Sequence, residues 1–300
     1  MSRPSILSLL AALAVIVYAL GLLISPYLSM SSQVGVVQLV GPIYSFRDIT
    51  QQISSVNDDS RIKAMVLYVN SPGGGAYSCM EIRRYLDNMT KPNIAVIDEI
   101  GASGAYYIAS AADEILAHEN TVTGSIGVIS IWEDYSEWLE SEGIKYWVWK
   151  TGDAKDLFEP WRSPTAEENK TIETQLNRTY EILIGDIASG RQNLTVEEVR
   201  EFANGSVFLG SEALELKLID EIGDYKQAVK MVSSRIDLGA YITRDMATGD
   251  RAVLASLMES YIFSGLTVGL IVLLVVLGLL AILTRRRAET KGEPSTRFGI

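Results

Sequence analysis

Between residues 25 and 261, short β-branched runs alternate with amphipathic stretches of helical period. The runs at 34–40, 64–69, 94–97, 114–117, 127–131 and 146–149 are bounded by Gly, Pro and Asn and read as buried strands. The stretches at 76–88, 103–112, 132–142, 166–189, 196–203 and 225–236 read as helices. The longest opens with a capping box, Thr165 with Glu168, and carries an apolar stripe of Ile172, Leu176, Tyr180, Leu183 and Ile187. A second box, Thr195 with Glu198, opens the next helix. Strands alternating with helices, with no internal repeat, predict one α/β domain.

Two apolar runs flank this pattern. Residues 6–24 and 262–284, 19 and 23 residues long, contain no charged side chain. Each is long enough to cross a hydrocarbon core of about 30 Å as a helix. The expected organisation is an N-terminal transmembrane anchor at 1–24, an extracytoplasmic domain at 25–261, a transmembrane helix at 262–284 and a basic tail at 285–300. Two spans exclude a polytopic transporter or channel. A cleaved leader is disfavoured, because the first run exceeds an ordinary signal core of roughly 7–15 residues and Ser25-Pro26-Tyr27 offers no small-x-small cleavage site.

Charge adds an orientation. Of the net charge of −11, Arg3 contributes +1 and residues 285–300 contribute +3, which leaves −15 between them. So acidic a domain repels nucleic acid. Arg285, Arg286 and Arg287 lie directly beside the second run, which places the C-terminus in the cytoplasm and, with two spans, the N-terminus as well. The chain is thus expected in the cell membrane, with its domain outside. Five Asn-x-Ser/Thr sequons, at Asn88, Asn169, Asn177, Asn193 and Asn204, are compatible with an exported surface.

Candidate chemistry is sparse. A single cysteine, Cys79, excludes an intramolecular disulfide and a cysteine-based metal cluster, and its place in an amphipathic stretch is that of a buried thiol. The only histidine, His118, ends a predicted strand and reads as a surface residue. No cofactor and no metal are expected. Two glycine-rich turns each follow a strand and open a helix. Asn70-Ser71-Pro72-Gly73-Gly74-Gly75 can bring bare backbone amides close to an anionic oxygen, although most such turns serve packing. In Gly101-Ala102-Ser103-Gly104-Ala105, Ser103 is either a helix N-cap or an exposed nucleophile. With histidine almost absent, a base for such a serine must be a lysine held neutral by burial. Lys155, in Thr151-Gly152-Asp153-Ala154-Lys155-Asp156, is one of several lysines that spacing alone does not separate.

Taken together with Thr123-Gly124-Ser125-Ile126-Gly127-Val128, these blocks resemble the signal peptide peptidase A (SppA) family of membrane-anchored serine peptidases. The similarity continues through Gly152 to Lys155-Asp156, Pro160, Arg162, Thr165 and Glu167-Glu168. It ends in Val207-Phe208 and the Ala213-Leu216-Leu218-Ile219-Asp220 stretch before Gly223. The resemblance implies a fold like that of the crotonases and the Clp peptidase. It also implies a Ser-Lys dyad: Ser103 as nucleophile, Lys155 as general base, Ser125 orienting the lysine amine, and the amides of Gly104 and of one glycine of the Gly73 to Gly75 turn, with Gly74 favoured, as oxyanion hole. It further implies hydrophobic peptide substrates such as signal-peptide remnants, bound as an added strand, and assembly into a homo-oligomer.

Three departures stand out: Ala105 where glycine is common, Ala154 where histidine often precedes the lysine, and the second span. Two rivals are a stomatin-type membrane protease of related fold and a catalytically inactive, membrane-tethered crotonase-like scaffold. Retention of Ser103, Ser125 and Lys155 together argues against the scaffold.

Overall fold

A computed structural model describes residues 33–236 and 242–247. The two apolar runs at 6–24 and 262–284 and the basic tail lie outside the described residues. Among the described residues, no helix is long and apolar enough to cross a membrane.

Within 33–247 the chain builds one eight-stranded sheet. Its centre is formed by β1 (Gln33–Val40), β2 (Ile62–Ser71) and β3 (Asn93–Ala102), which run parallel. These strands read as near-continuous apolar runs because both of their faces are covered. One face packs Val37, Leu39, Met65, Leu67, Ala95 and Ile97 against α1 (Arg47–Asp58), α2 (Ala76–Asp87), α3 (Gly104–Ala109) and α5 (Ala166–Gly190). On the other face Val34, Ala64, Val66, Ile94 and Val96 lie under Ala228, Val229 and Val232 of α8 (Tyr225–Arg235). Beyond β1 lies β8 (Ile242–Asp245), also parallel.

The third strand is long and forks. Its first half, Ile94 to Ile97, pairs with β4 (Glu114–Ala117), and its second half, Ile100 to Ala102, pairs with β5 (Val122–Gly124). Antiparallel to β5 runs β6 (Val207–Leu209), and β4 is flanked by β7 (Glu221–Ile222). Two short helices, α6 (Val196–Phe202) and α7 (Gly210–Glu215), complete this side. The fork carries the end of β3 past the main sheet, so that Ser103 follows a strand tip.

Both predicted capping boxes form, at Thr165 with Glu168 and at Thr195 with Glu198. Of the stripe on α5, Leu183 and Ile187 are buried, while Ile172 and Leu176 are only half-buried, in a helix half that is mostly exposed. The expected strands at 127–131 and 146–149 do not form among the described residues. Apolar character alone does not make a strand without a ladder partner. Ile129 and Trp149 are 83% and 87% exposed, and Ile131, Trp147 and Val148 are exposed as well. The expected helix at 132–142 contracts to α4 (Ser136–Ser141).

Candidate functional site

Register places the two glycine-rich turns side by side. Ser71, last in β2, pairs with Gly101 of β3, and Ala102 pairs with Gly124 of β5. The residues that follow these three strand ends, 72–75, 103–104 and 125, therefore meet at one edge.

Ser103 occupies the N-cap position of α3, yet its side chain makes no capping hydrogen bond, and its backbone sits at φ 54°, ψ −125°. L-residues rarely adopt that conformation, which costs on the order of 1–3 kcal/mol and persists where the surroundings impose it. The surroundings are well defined. Ser103 N–H donates to Gly124 O at 2.8 Å, and Ser103 O accepts from Tyr107 N–H at 2.9 Å. Downstream, the buried Tyr106 hydroxyl donates to Leu218 O at 2.9 Å, and Tyr107 Oη donates to Asp186 Oδ2 at 2.6 Å. The buried Arg83 guanidinium donates to Tyr107 O at 2.7 Å, to Ser110 Oγ at 2.6 Å and to Asp186 O at 2.6 Å. The turn is thus held from below, and its serine is left half-exposed with its hydroxyl uncommitted to the helix.

Ser125 is a second non-glycine residue with positive φ, at 49°, pinned by its N–H to Ser206 O at 2.7 Å. Gly73, at φ 94°, lies against the serine turn: a Cβ there would sit 2.7 Å from Gly104 N, 2.9 Å from Ala102 O and 3.0 Å from Ser103 Cβ. Gly104 in turn leaves no room for a side chain, because Cys79 Sγ occupies that space. Burial pushes the Cys79 thiol up to about 11, against the opposing pull of its hydrogen bond with the Gly74 backbone. That bond, and the close approach of Gly74 to Ile43 O, turn Gly74 toward the packed side of the loop. Gly75 N–H donates to Ile43 O at 2.9 Å. Of the expected oxyanion pair, Gly104 thus stands beside Gly73, with the Gly74 amide shared by Cys79.

Lys155 is exposed on a short 3-10 turn, Asp153–Asp156. Among the described residues its amine makes no hydrogen bond to Ser103 or Ser125. His118 is exposed, and its Nδ1 accepts from Asn120 N–H at 3.3 Å. It follows Ala117, which pairs with Ile97, so it stands level with a point several residues short of Ser103, roughly 15 Å back along the strand. The structure thus gathers Ser103, Ser125, Gly104 and the 72–75 turn at one edge, while Lys155 is exposed on its own turn. Sequence reasoning named the 73–75 turn without fixing which glycine faces the serine, and it passed over Cys79 as a site-shaping residue; the positive φ of Gly73 is the kind of signal that glycine alone can hide. No group of three or more His, Cys, Asp or Glu suited to a metal ion occurs among the described residues.

Comparison with known proteins bears on the fold and the family. The Clp protease family profile matches residues 27–122, in keeping with a mixed α/β domain of Clp-protease-like fold. A protein of Enterococcus faecium named as a signal peptide peptidase SppA is 36% identical over 189 residues, 62% of this chain and 55% of that protein. Protease 4 of Haemophilus influenzae is 32% identical over 194 residues, 63% of this chain and 31% of its own length. The chloroplastic serine protease SPPA of Arabidopsis thaliana is 29% identical over 213 residues, 70% and 31% respectively. This chain therefore spans about half or less of the length of these relatives. The profile of peptidase family S49 matches residues 86–238, just over half of the chain, and on that match the chain belongs to peptidase family S49.

Proposed function

We propose that the protein is a membrane-anchored serine endopeptidase that degrades cleaved signal peptides and similar hydrophobic peptides through a Ser103–Lys155 dyad. The observation that carries the reading is the backbone of Ser103, an L-residue held at φ 54° between Gly73 and Gly104 with its hydroxyl free of capping duty. In acyl transfer the Ser103 hydroxyl attacks the scissile carbonyl carbon and its proton passes to the base. The carbonyl oxygen, now anionic, is met by the backbone amide of Gly104 and by an amide of the 73–74 turn that exchanges its present partner, Ser71 Oγ for Gly73 or the Cys79 sulfur for Gly74. The base then returns the proton to the departing amine, and water releases the acyl group by the same route. Lys155 is assigned as that base, with Ser125 orienting its amine.

The 127–165 segment carries Lys155. Its exposed Ile129, Ile131, Trp147 and Trp149 offer an apolar surface that assembly into a homo-oligomer would cover. The inactive scaffold is the second reading, favoured by the exposure of Lys155. Hydrolysis of a fluorogenic hydrophobic peptide by the purified full chain, lost in Ser103→Ala, supports the peptidase; hydrolysis that is absent from the wild-type protein supports the scaffold. Anchoring through 6–24 and 262–284 is tested by protease added outside spheroplasts, which should digest the domain and spare a tag placed after Ile300.

A further inference from the structure

The family resemblance includes Asp156, Arg162 and Glu168, to which the dyad assigns no task. In the structure they form one cluster beside Lys155. Arg162 grips Asp156 three times: Nε donates to Oδ2 at 3.0 Å, and Nη2 donates to Oδ1 at 2.8 Å and to the main-chain oxygen at 3.1 Å. The same guanidinium donates to both oxygens of Glu168, Nη1 to Oε2 at 2.8 Å and Nη2 to Oε1 at 2.6 Å. Glu168 is itself fixed, since Oε2 accepts the Thr165 N–H of the capping box at 2.8 Å. From the other side Lys150 Nζ donates to Asp156 Oδ1 at 2.6 Å and to Asp153 O at 2.7 Å. The Trp132 ring lies 5.3 Å from the Arg162 guanidinium and its indole N–H donates to Arg162 O at 3.2 Å.

The 3-10 turn has little to hold it otherwise. Its own backbone bonds are long, Lys155 N–H to Gly152 O at 3.2 Å and Leu157 N–H to Ala154 O at 3.3 Å. Residues 151–155 are exposed, whereas Asp156 is only 7% exposed. Whatever fixes Asp156 therefore fixes the backbone from which the lysine projects. Two carboxylates on one rigid guanidinium fork give a geometry that a single ammonium does not reproduce.

We infer that Arg162 is a positioning residue for the reaction: by tying Asp156 to the capped N-terminus of α5 it sets the placement of Lys155. The inference rests on the dyad reading. It predicts a loss in the chemical step rather than in peptide binding. In the full-length protein, with rates normalised to the folded fraction, Arg162→Met should lower kcat about 10-fold or more while KM stays within about 2-fold. Arg162→Lys, which can hold one carboxylate at a time, should fall between. Should Arg162→Met fold poorly, Glu168→Gln removes the distal anchor and keeps a side chain able to cap; it should lower kcat severalfold at unchanged KM. A kcat per folded molecule within 2-fold of wild type in the variants that fold, with Ser103→Ala and Lys155→Ala both inactive, overturns the inference and leaves the dyad standing. Turnover retained in Ser103→Ala or Lys155→Ala overturns the dyad, and the inference with it.

Discussion

Gly73 and Ser103 are in contact across the end of the sheet: a Cβ on Gly73 would lie 3.0 Å from that of Ser103. The contact exists because Ser71 and Gly101 pair at the ends of β2 and β3, so two turns distant in sequence emerge together. It ties the geometry of the serine to a glycine about thirty residues earlier.

Gly73→Ala should therefore be nearly inactive. The methyl group would meet Gly104 N and Ala102 O at 2.7 and 2.9 Å, and a φ of 94° is strained for any L side chain. Displacing an amide from the hole costs about 10²–10³ in kcat, and the strain costs about 1–3 kcal/mol in stability. Peptide hydrolysis and thermal unfolding of the variant measure the two effects separately. Activity near wild type would mean that the 73–74 turn does not face the reacting carbonyl.

The Arg162 cluster gives a pH dependence with a definite sign. The Arg162 hydrogen bonds, reinforced by the Thr165 backbone, hold Glu168 down at about 2 from an ordinary value of 4.5. Asp156 is held well below its ordinary range by Arg162 and then Lys150. Carboxyl groups depressed in the folded state stabilise it fully above their unfolded values, and that contribution disappears as pH falls from about 4.5 toward 2. The thermal midpoint should drop over this window in the wild-type protein and drop less in Arg162→Met. Parallel curves for the two proteins would contradict the assignment.

Much of this was legible in the sequence, for identifiable reasons. β1, β2 and the first half of β3 announce themselves because central parallel strands bury both faces and leave uninterrupted apolar runs. Both capping boxes were readable because their chemistry is local, three residues apart. The runs at 127–131 and 146–149 misled because hydrophobicity reports a wish for burial and not its partner; in the described structure they stay exposed. β5, β6 and β7 are two or three residues long, too short for alternation to register, and exist only through the forked end of β3. In the site, Ser103 and Gly104 were visible as a strand-to-helix turn, whereas the contact of Gly73 with Ser103 is a matter of sheet register.

Two substitutions separate the bases. Lys155→Arg should be inactive although it keeps the charge, because a guanidinium does not give up its proton near neutral pH. His118→Ala should retain full hydrolysis, since that imidazole is exposed and bonded only to its own turn. The reverse pattern in steady-state assays would require a histidine mechanism.

The most direct test is covalent. The full-length protein would be treated with a fluorophosphonate, digested, and the modified residue located by mass spectrometry. The account predicts a single stoichiometric adduct on Ser103, absent from Ser103→Ala and strongly slowed in Lys155→Ala. An adduct on another serine, or undiminished peptide hydrolysis by Ser103→Ala, would contradict it.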